Sequence, residues 1–114
     1  MSAIALTQSE YSTIKDSVVF FDFWAEWCAP CREMEPVLDS EVIPNFPEIA
    51  FYKVNIDEEP EIAKKYSIRS IPTMLVVKFD SEGNHTILET FIGLQNDIKS
   101  MKGKIAAAVE KANS

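Results

Sequence analysis

Three glycines, two cysteines and one histidine are all that this 114-residue chain holds of the residues that most often mark flexible turns, disulfide scaffolds and metal centres. Two cysteines cannot staple a small secreted fold, and with a single histidine, His85, they fall short of the about four ligands that a structural zinc needs. No glycine motif of the nucleotide-binding kind is present, so no bound nucleotide or other cofactor is expected. No apolar stretch approaches the roughly 20 residues of a membrane-spanning helix. No basic residue precedes Lys15, and the apolar piece Ala3 to Leu6 is too short for a signal-peptide core, so the expectation is a cytoplasmic protein with no membrane contact. Positive charge is also scarce. Eleven Lys and Arg face eighteen Asp and Glu, a net charge of −7 that repels a phosphate backbone, and nucleic acid is not an expected partner.

What the chain does have is an ordinary globular balance, 46% hydrophobic and 25% charged residues. At this length one compact domain over residues 1–114 can bury a core without staples, and a monomer is the simplest expectation. No repeat, linker or low-complexity segment interrupts it.

The hydrophobic pattern predicts alternating elements. Thr7 with Glu10 three residues later has the capping-box spacing, so a first helix is predicted from about Gln8 to Asp16. Val18 to Trp24 is β-branched and aromatic nearly throughout, the pattern of a strand buried on both faces, with Asp22 as its one polar exception. Met34, Val37, Leu38 and Val42 recur at helical spacing after the cysteines, and Pro36 should kink that helix. Residues 44–48 read as a loop, 49–56 as a second core strand, and the segment from Asp57 to Ile68, with Pro60 near its start and lysines toward its end, as a short helix. Strands at 71–79 and 85–93 flank the turn Asp80 to Asn84, and His85 reads as an ordinary turn residue. A last helix carries Ile98, Met101, Ile105, Ala108, Val109 and Ala112 on one face. The order predicts an α/β layer with a mixed sheet, parallel first and antiparallel later.

Chemistry concentrates in "FFDFWAEWCAPCREMEP", Phe20 to Pro36. If a helix starts at the cysteines, residues i and i+3 stand about 5 to 6 Å apart, inside the window a disulfide needs. Cys28 then lies where the unsatisfied N–H groups of the first turn favour a thiolate, which makes it the candidate nucleophile. Cys31, one turn further in, is placed to resolve a mixed disulfide formed by Cys28. Pro30 suits the first turn, where its missing N–H has no partner to lose. Two alternatives stand beside this: cysteines that only fill the core, and a metal site.

"FDFWAEWCAPC", the "NID" after Lys53, "YSIRSIPT" and "FIG", in that order, resemble the thioredoxin family over nearly the whole chain. The resemblance implies the thioredoxin fold, α/β with a central mixed sheet of four or five strands and about four helices. It implies a thiol-disulfide oxidoreductase that reduces protein disulfides, with Cys28 attacking and Cys31 resolving, and a separate thioredoxin reductase to return electrons. Asp22 then matches the family's buried acid near the resolving cysteine. A carboxylate in an apolar strand is costly to ionise, so its pKa should rise and it could take the proton of Cys31. Lys53 matches a lysine approaching that acid from the next strand. Trp27, Ala29 and Pro30 correspond to the surface around the cysteines, Ile71 and Pro72 to a loop with a cis-proline that meets the substrate backbone, and Gly93 to a glycine that keeps this surface flat.

The chain departs from the family by placing Ala29 where glycine is usual. Alanine favours a helix by about 1 kcal/mol, and 1.4 kcal/mol corresponds to about 30 mV for a two-electron couple, so only a modest change in potential is expected. Arg32 stands where lysine is frequent and keeps a positive charge near the thiols. Competing functions are an oxidant or isomerase, a glutathione-using role, and a docking module in which the cysteines are incidental.

Overall fold

The computed structural model describes residues 3–114, so the first two residues of the domain expected over 1–114 lie outside the described residues. Among the described residues the order is β1 (Ile4–Ala5), α1 (Gln8–Tyr11), β2 (Ser17–Trp24), α2 (Ala29–Val37), β3 (Ala50–Asn55), α3 (Pro60–Lys65), β4 (Thr73–Phe79), β5 (His85–Ile92) and α4 (Ile98–Ala112). The strands form one mixed sheet in the order β1-β3-β2-β4-β5. β1, β3 and β2 run parallel, while β4 and β5 are antiparallel additions, as the sequence pattern predicts. No described helix is long and apolar enough to cross a membrane.

β2 is the spine because it feeds both layers. Side chains alternate along a strand, so Phe20 joins Met34, Leu38, Met74, Met101 and Ile105 on one face, while Val19, Phe21 and Phe23 join Tyr11, Ile62, Tyr66 and Phe79 on the other. Phe20, Phe21 and Phe23 are at most 1% exposed, and each contributes about 1.5 to 3 kcal/mol by leaving water. The same alternation puts Asp22 on the Phe20 face, the face that α2 covers.

Several boundaries differ from the sequence reading, for local reasons. The capping box at Thr7 is present, but α1 stops at Tyr11 and not near Asp16. Ser12 Oγ donates to Ser9 O and Thr13 Oγ1 to Glu10 O, and Asp16 has a positive φ of 50°, which ends helical geometry. Pro36 lies inside α2 and has no N–H to give to Arg32 O. The chain then widens into a π-helical turn (Leu38–Val42) and tightens into a 3-10 turn (Ile43–Asn45), so part of the predicted loop at 44–48 is helical. β4 begins at Thr73 and not Ile71, because Pro72 cannot donate to a ladder. β1, a two-residue edge strand paired with Tyr52 and Lys53, went unpredicted because it is too short for a periodic signal. His85 opens β5, where the predicted strand begins, and is more than an ordinary turn residue, because its ring centroid lies 4.6 Å from that of Tyr66.

Candidate active site

The cysteines lie where β2 hands the chain to α2. Ala25 is fully buried and its carbonyl accepts from Cys28 N–H at 3.2 Å, which anchors the turn. Cys28 is the N-cap of α2, with extended backbone angles, and Pro30 occupies the first turn. The cap is a sulfur cap, because Cys31 N–H donates to Cys28 Sγ at 3.2 Å. A backbone donor and the positive end of the helix therefore converge on this sulfur and favour negative charge there when it is reduced. Cys28 and Cys31 are joined as a disulfide with their Cα atoms 5.3 Å apart. Both are largely covered in this oxidised form, at 5% and 3% exposure.

The opposite wall is the loop before β4. The Ile71–Pro72 peptide is cis, and Ile71 O lies 3.8 Å from Cys28 Sγ. Thr73 Oγ1 donates to Ser70 O at 2.6 Å and fixes the loop. Gly93 N–H donates to Pro72 O at 2.8 Å, tying the end of β5 to the same loop. Gly93 has φ +83°, and a Cβ added there would meet nothing within 4 Å, so it would project over open surface. Trp27 is 67% exposed and its Nε1 donates to Asp57 Oδ2 at 2.8 Å, while Ile92 is 66% exposed beside Gly93. Ala29 and Pro30 are exposed at the helix start. These positions together form a partly apolar rim around the cysteine pair.

Behind the turn is an acid pocket. Asp22 is 3% exposed, and its Oδ1 is buried without a hydrogen-bond partner among the described residues. Burial pushes its carboxyl up to about 7 from an ordinary 3.8, with Lys53 opposing that rise and Glu35 and Asp39 adding to it. Lys53 stands directly across from Asp22 in the β2–β3 register. Its Nζ, however, bonds Glu35 Oε2 and lies 4.1 Å from the Trp24 ring centroid. A shallow open pocket lined by Trp24, Glu26, Arg32, Glu35 and Lys53 surrounds this pair. Arg32 turns back to donate to Glu26 O.

The candidate residues read from the sequence thus divide into the disulfide (Cys28, Cys31), its rim (Trp27, Ala29, Pro30, Ile71, Pro72, Gly93) and the pocket behind it (Asp22, Lys53). Sequence reasoning missed Asp57, Glu35 and Ile92. Glu35 is four residues after Cys31 and shares its helix face, and Ile92 follows buried Phe91 in strand alternation, so each carried a periodic signal. Asp57 carried no periodic signal, only its place in the "NID" of the resemblance, since its contact with Trp27 is made across 30 residues. Among the described residues no three His, Cys, Asp or Glu side chains are grouped to hold a metal.

Comparison with known proteins agrees with this geometry. The family model for thioredoxin matches residues 2–106. The chain is 45% identical over 84 residues to thioredoxin 1 of a Nostoc species, covering 68% of this chain and 77% of that protein. It is 48% identical over 63 residues to a Rickettsia bellii thioredoxin, covering 55% of this chain and 60% of that one. The solved structure of Plasmodium falciparum thioredoxin superposes with a TM-score of 0.74 at 30% identity, covering 92% of this chain and 98% of that one. The five-stranded mixed sheet with its four helices is the thioredoxin fold. By its match over residues 2–106 and its closely spaced cysteine pair, this chain belongs to the thioredoxin family of thiol-disulfide oxidoreductases.

Proposed function

We propose that this chain is a protein-disulfide reductase, acting as a single monomeric domain in the cytoplasm. The observation that carries the reading is the placement of Cys28 Sγ, which caps α2, receives the Cys31 N–H and lies 3.8 Å from Ile71 O, beside the exposed Trp27, Ala29 and Pro30. In the reduced protein the Cys28 thiolate attacks one sulfur of a substrate disulfide and expels the other as a thiolate, leaving a mixed disulfide. The Cys31 thiol gives its proton to the Asp22 carboxylate and attacks Cys28 Sγ. The second substrate thiolate departs and is protonated, and the Cys28–Cys31 disulfide remains.

Asp22 suits the role of proton acceptor because it is buried behind the turn and its carboxyl titrates near neutral pH. Lys53 supplies the cation that makes its ionised form tolerable. The substrate backbone lies along Ile71 and Pro72 as an added strand, with Trp27, Ala29, Pro30 and Gly93 giving it a low, partly apolar bed. Each turnover consumes two electrons and two protons, and a separate thioredoxin reductase returns them.

Trapping tests the reading. Cys31→Ser should accumulate mixed disulfides on Cys28, recovered by mass spectrometry and released by reductant, and adding Cys28→Ser should abolish them. Full biological activity in Cys28→Ser would instead favour a docking role in which the cysteines are incidental.

A further inference from the structure

Asp22 and Lys53 face each other in register on the sheet face that α2 covers, yet the ammonium makes its hydrogen bond to Glu35. It is held by the Glu35 carboxylate on one side and the Trp24 ring on the other, while Asp22 Oδ1 has no hydrogen-bond partner among the described residues. Glu35 comes from α2, four residues beyond Cys31, so the helix that carries the resolving thiol also carries the side chain that holds the lysine. The charged groups facing Asp22 are Lys53 from β3, Glu35 from α2 and Asp39 from the π-helical turn, and its neighbour on β4 is the uncharged Met74.

We propose that Glu35 is a positioning residue for the redox reaction: by holding Lys53 against Trp24 it limits the pull of the ammonium on Asp22, and so keeps the Asp22 carboxylate basic enough to take the Cys31 proton. A bare ammonium across a strand from a buried carboxyl would swing toward it and hold it ionised. An ammonium already neutralised by a carboxylate has less reason to do so, and the Glu35–Lys53 pair replaces a lone cation with a dipole. The side chains of Lys53 and Glu35 are 18% and 44% exposed, so the clamp is a moderate one that water can weaken. This inference rests on Asp22 acting as the proton acceptor of Cys31.

The test is the titration of the Asp22 side-chain carboxyl, followed by NMR in the oxidised full-length chain, in a double-mutant cycle of Glu35→Gln and Lys53→Met. Glu35→Gln should lower the Asp22 midpoint by about half a pH unit, the scale of a partly exposed ion pair. That drop should shrink when Lys53 is already Met, because no ammonium is left to release. A midpoint that stays put, or falls as far without Lys53 as with it, overturns the inference, since Glu35 would then act by its charge alone or not at all. A parallel pH profile of insulin-disulfide reduction separates this claim from the one beneath it. If the Asp22 midpoint moves with the predicted coupling and the rate profile does not follow, the clamp stands and the proton-acceptor role of Asp22 falls.

Discussion

The cysteine turn and the acid pocket behind it are parts of one site built in opposite ways. The turn is local: Ala25 to Cys31 are consecutive residues, their hydrogen bonds span three positions, and Cys28 caps its own helix. The pocket is tertiary. Asp22 comes from β2, Lys53 from β3 and Glu35 from α2, and no two of them are neighbours in sequence. A local device can be exposed and exchange partners without disturbing the core. A buried ionisable group has to be held by the whole fold, so its chemistry and the stability of the protein are linked.

The largest expected effect belongs to the turn. Cys28→Ser should reduce insulin turnover to the uncatalysed rate, while a urea titration of the reduced proteins shifts little, because serine can still cap α2. A large loss of stability in the reduced state would mean that the turn is not the separable device described here.

Asp22→Asn should do the reverse, changing stability strongly. In the fold the carboxyl stays protonated up to about pH 7, while in the unfolded chain it ionises near 3.8. Between those values the folded state binds more protons, so stability falls as pH rises from about 4 to about 7. The gap corresponds to as much as ~4 kcal/mol at 1.4 kcal/mol per pH unit. The asparagine variant should be more stable than the parent at pH 8 by an amount approaching this and should lose that advantage near pH 3, measured by urea unfolding of the oxidised forms. Its resolution of mixed disulfides should be slower, and equal pH dependence in the two proteins would remove Asp22 from the account.

Gly93→Ala probes the rim on the other side of the cysteine turn. The positive φ makes alanine less favourable by about 1 kcal/mol, a few degrees in Tm. The added methyl stands over open surface, so reduction of a protein disulfide should slow more than reduction of a small aromatic disulfide. Equal slowing would mean that substrate backbone does not cross this point.

The smallest effect is expected at Ala29→Gly. Ala29 is the first residue of α2 and exposed, and its influence on the couple is limited to a fraction of the ~1 kcal/mol helix preference. The potential should move by well under about 50 mV. A larger shift would show that position 29 contacts the reacting sulfurs in a way that differs between the two redox states.

How much of this was legible in the sequence follows the same division. The cysteine turn could be read outright, because helix capping, the place of Pro30 and the three-residue spacing are all local rules. Asp22 was legible as an anomaly, one carboxylate in an apolar strand. Glu35 was not singled out, because a glutamate on a charged helix surface is ordinary until β3 supplies Lys53 beneath it. The sheet order was readable only as far as parallel first and antiparallel later. β1 is too short to carry a period, and the π-helical and 3-10 turns that follow Pro36 are not geometries that a helical period reveals. The place of His85 at the start of its strand was legible, but its ring contact was not, because its aromatic partner Tyr66 is contributed from the end of α3.

The most direct test of the central claim is the equilibrium between the Cys28–Cys31 dithiol and disulfide in a graded series of defined redox buffers, read by thiol alkylation and mass. A reductase of protein disulfides requires a potential well below that of the glutathione pool, and that is the predicted result. A potential well above the pool would make the same turn an oxidant's or isomerase's device and contradict the account.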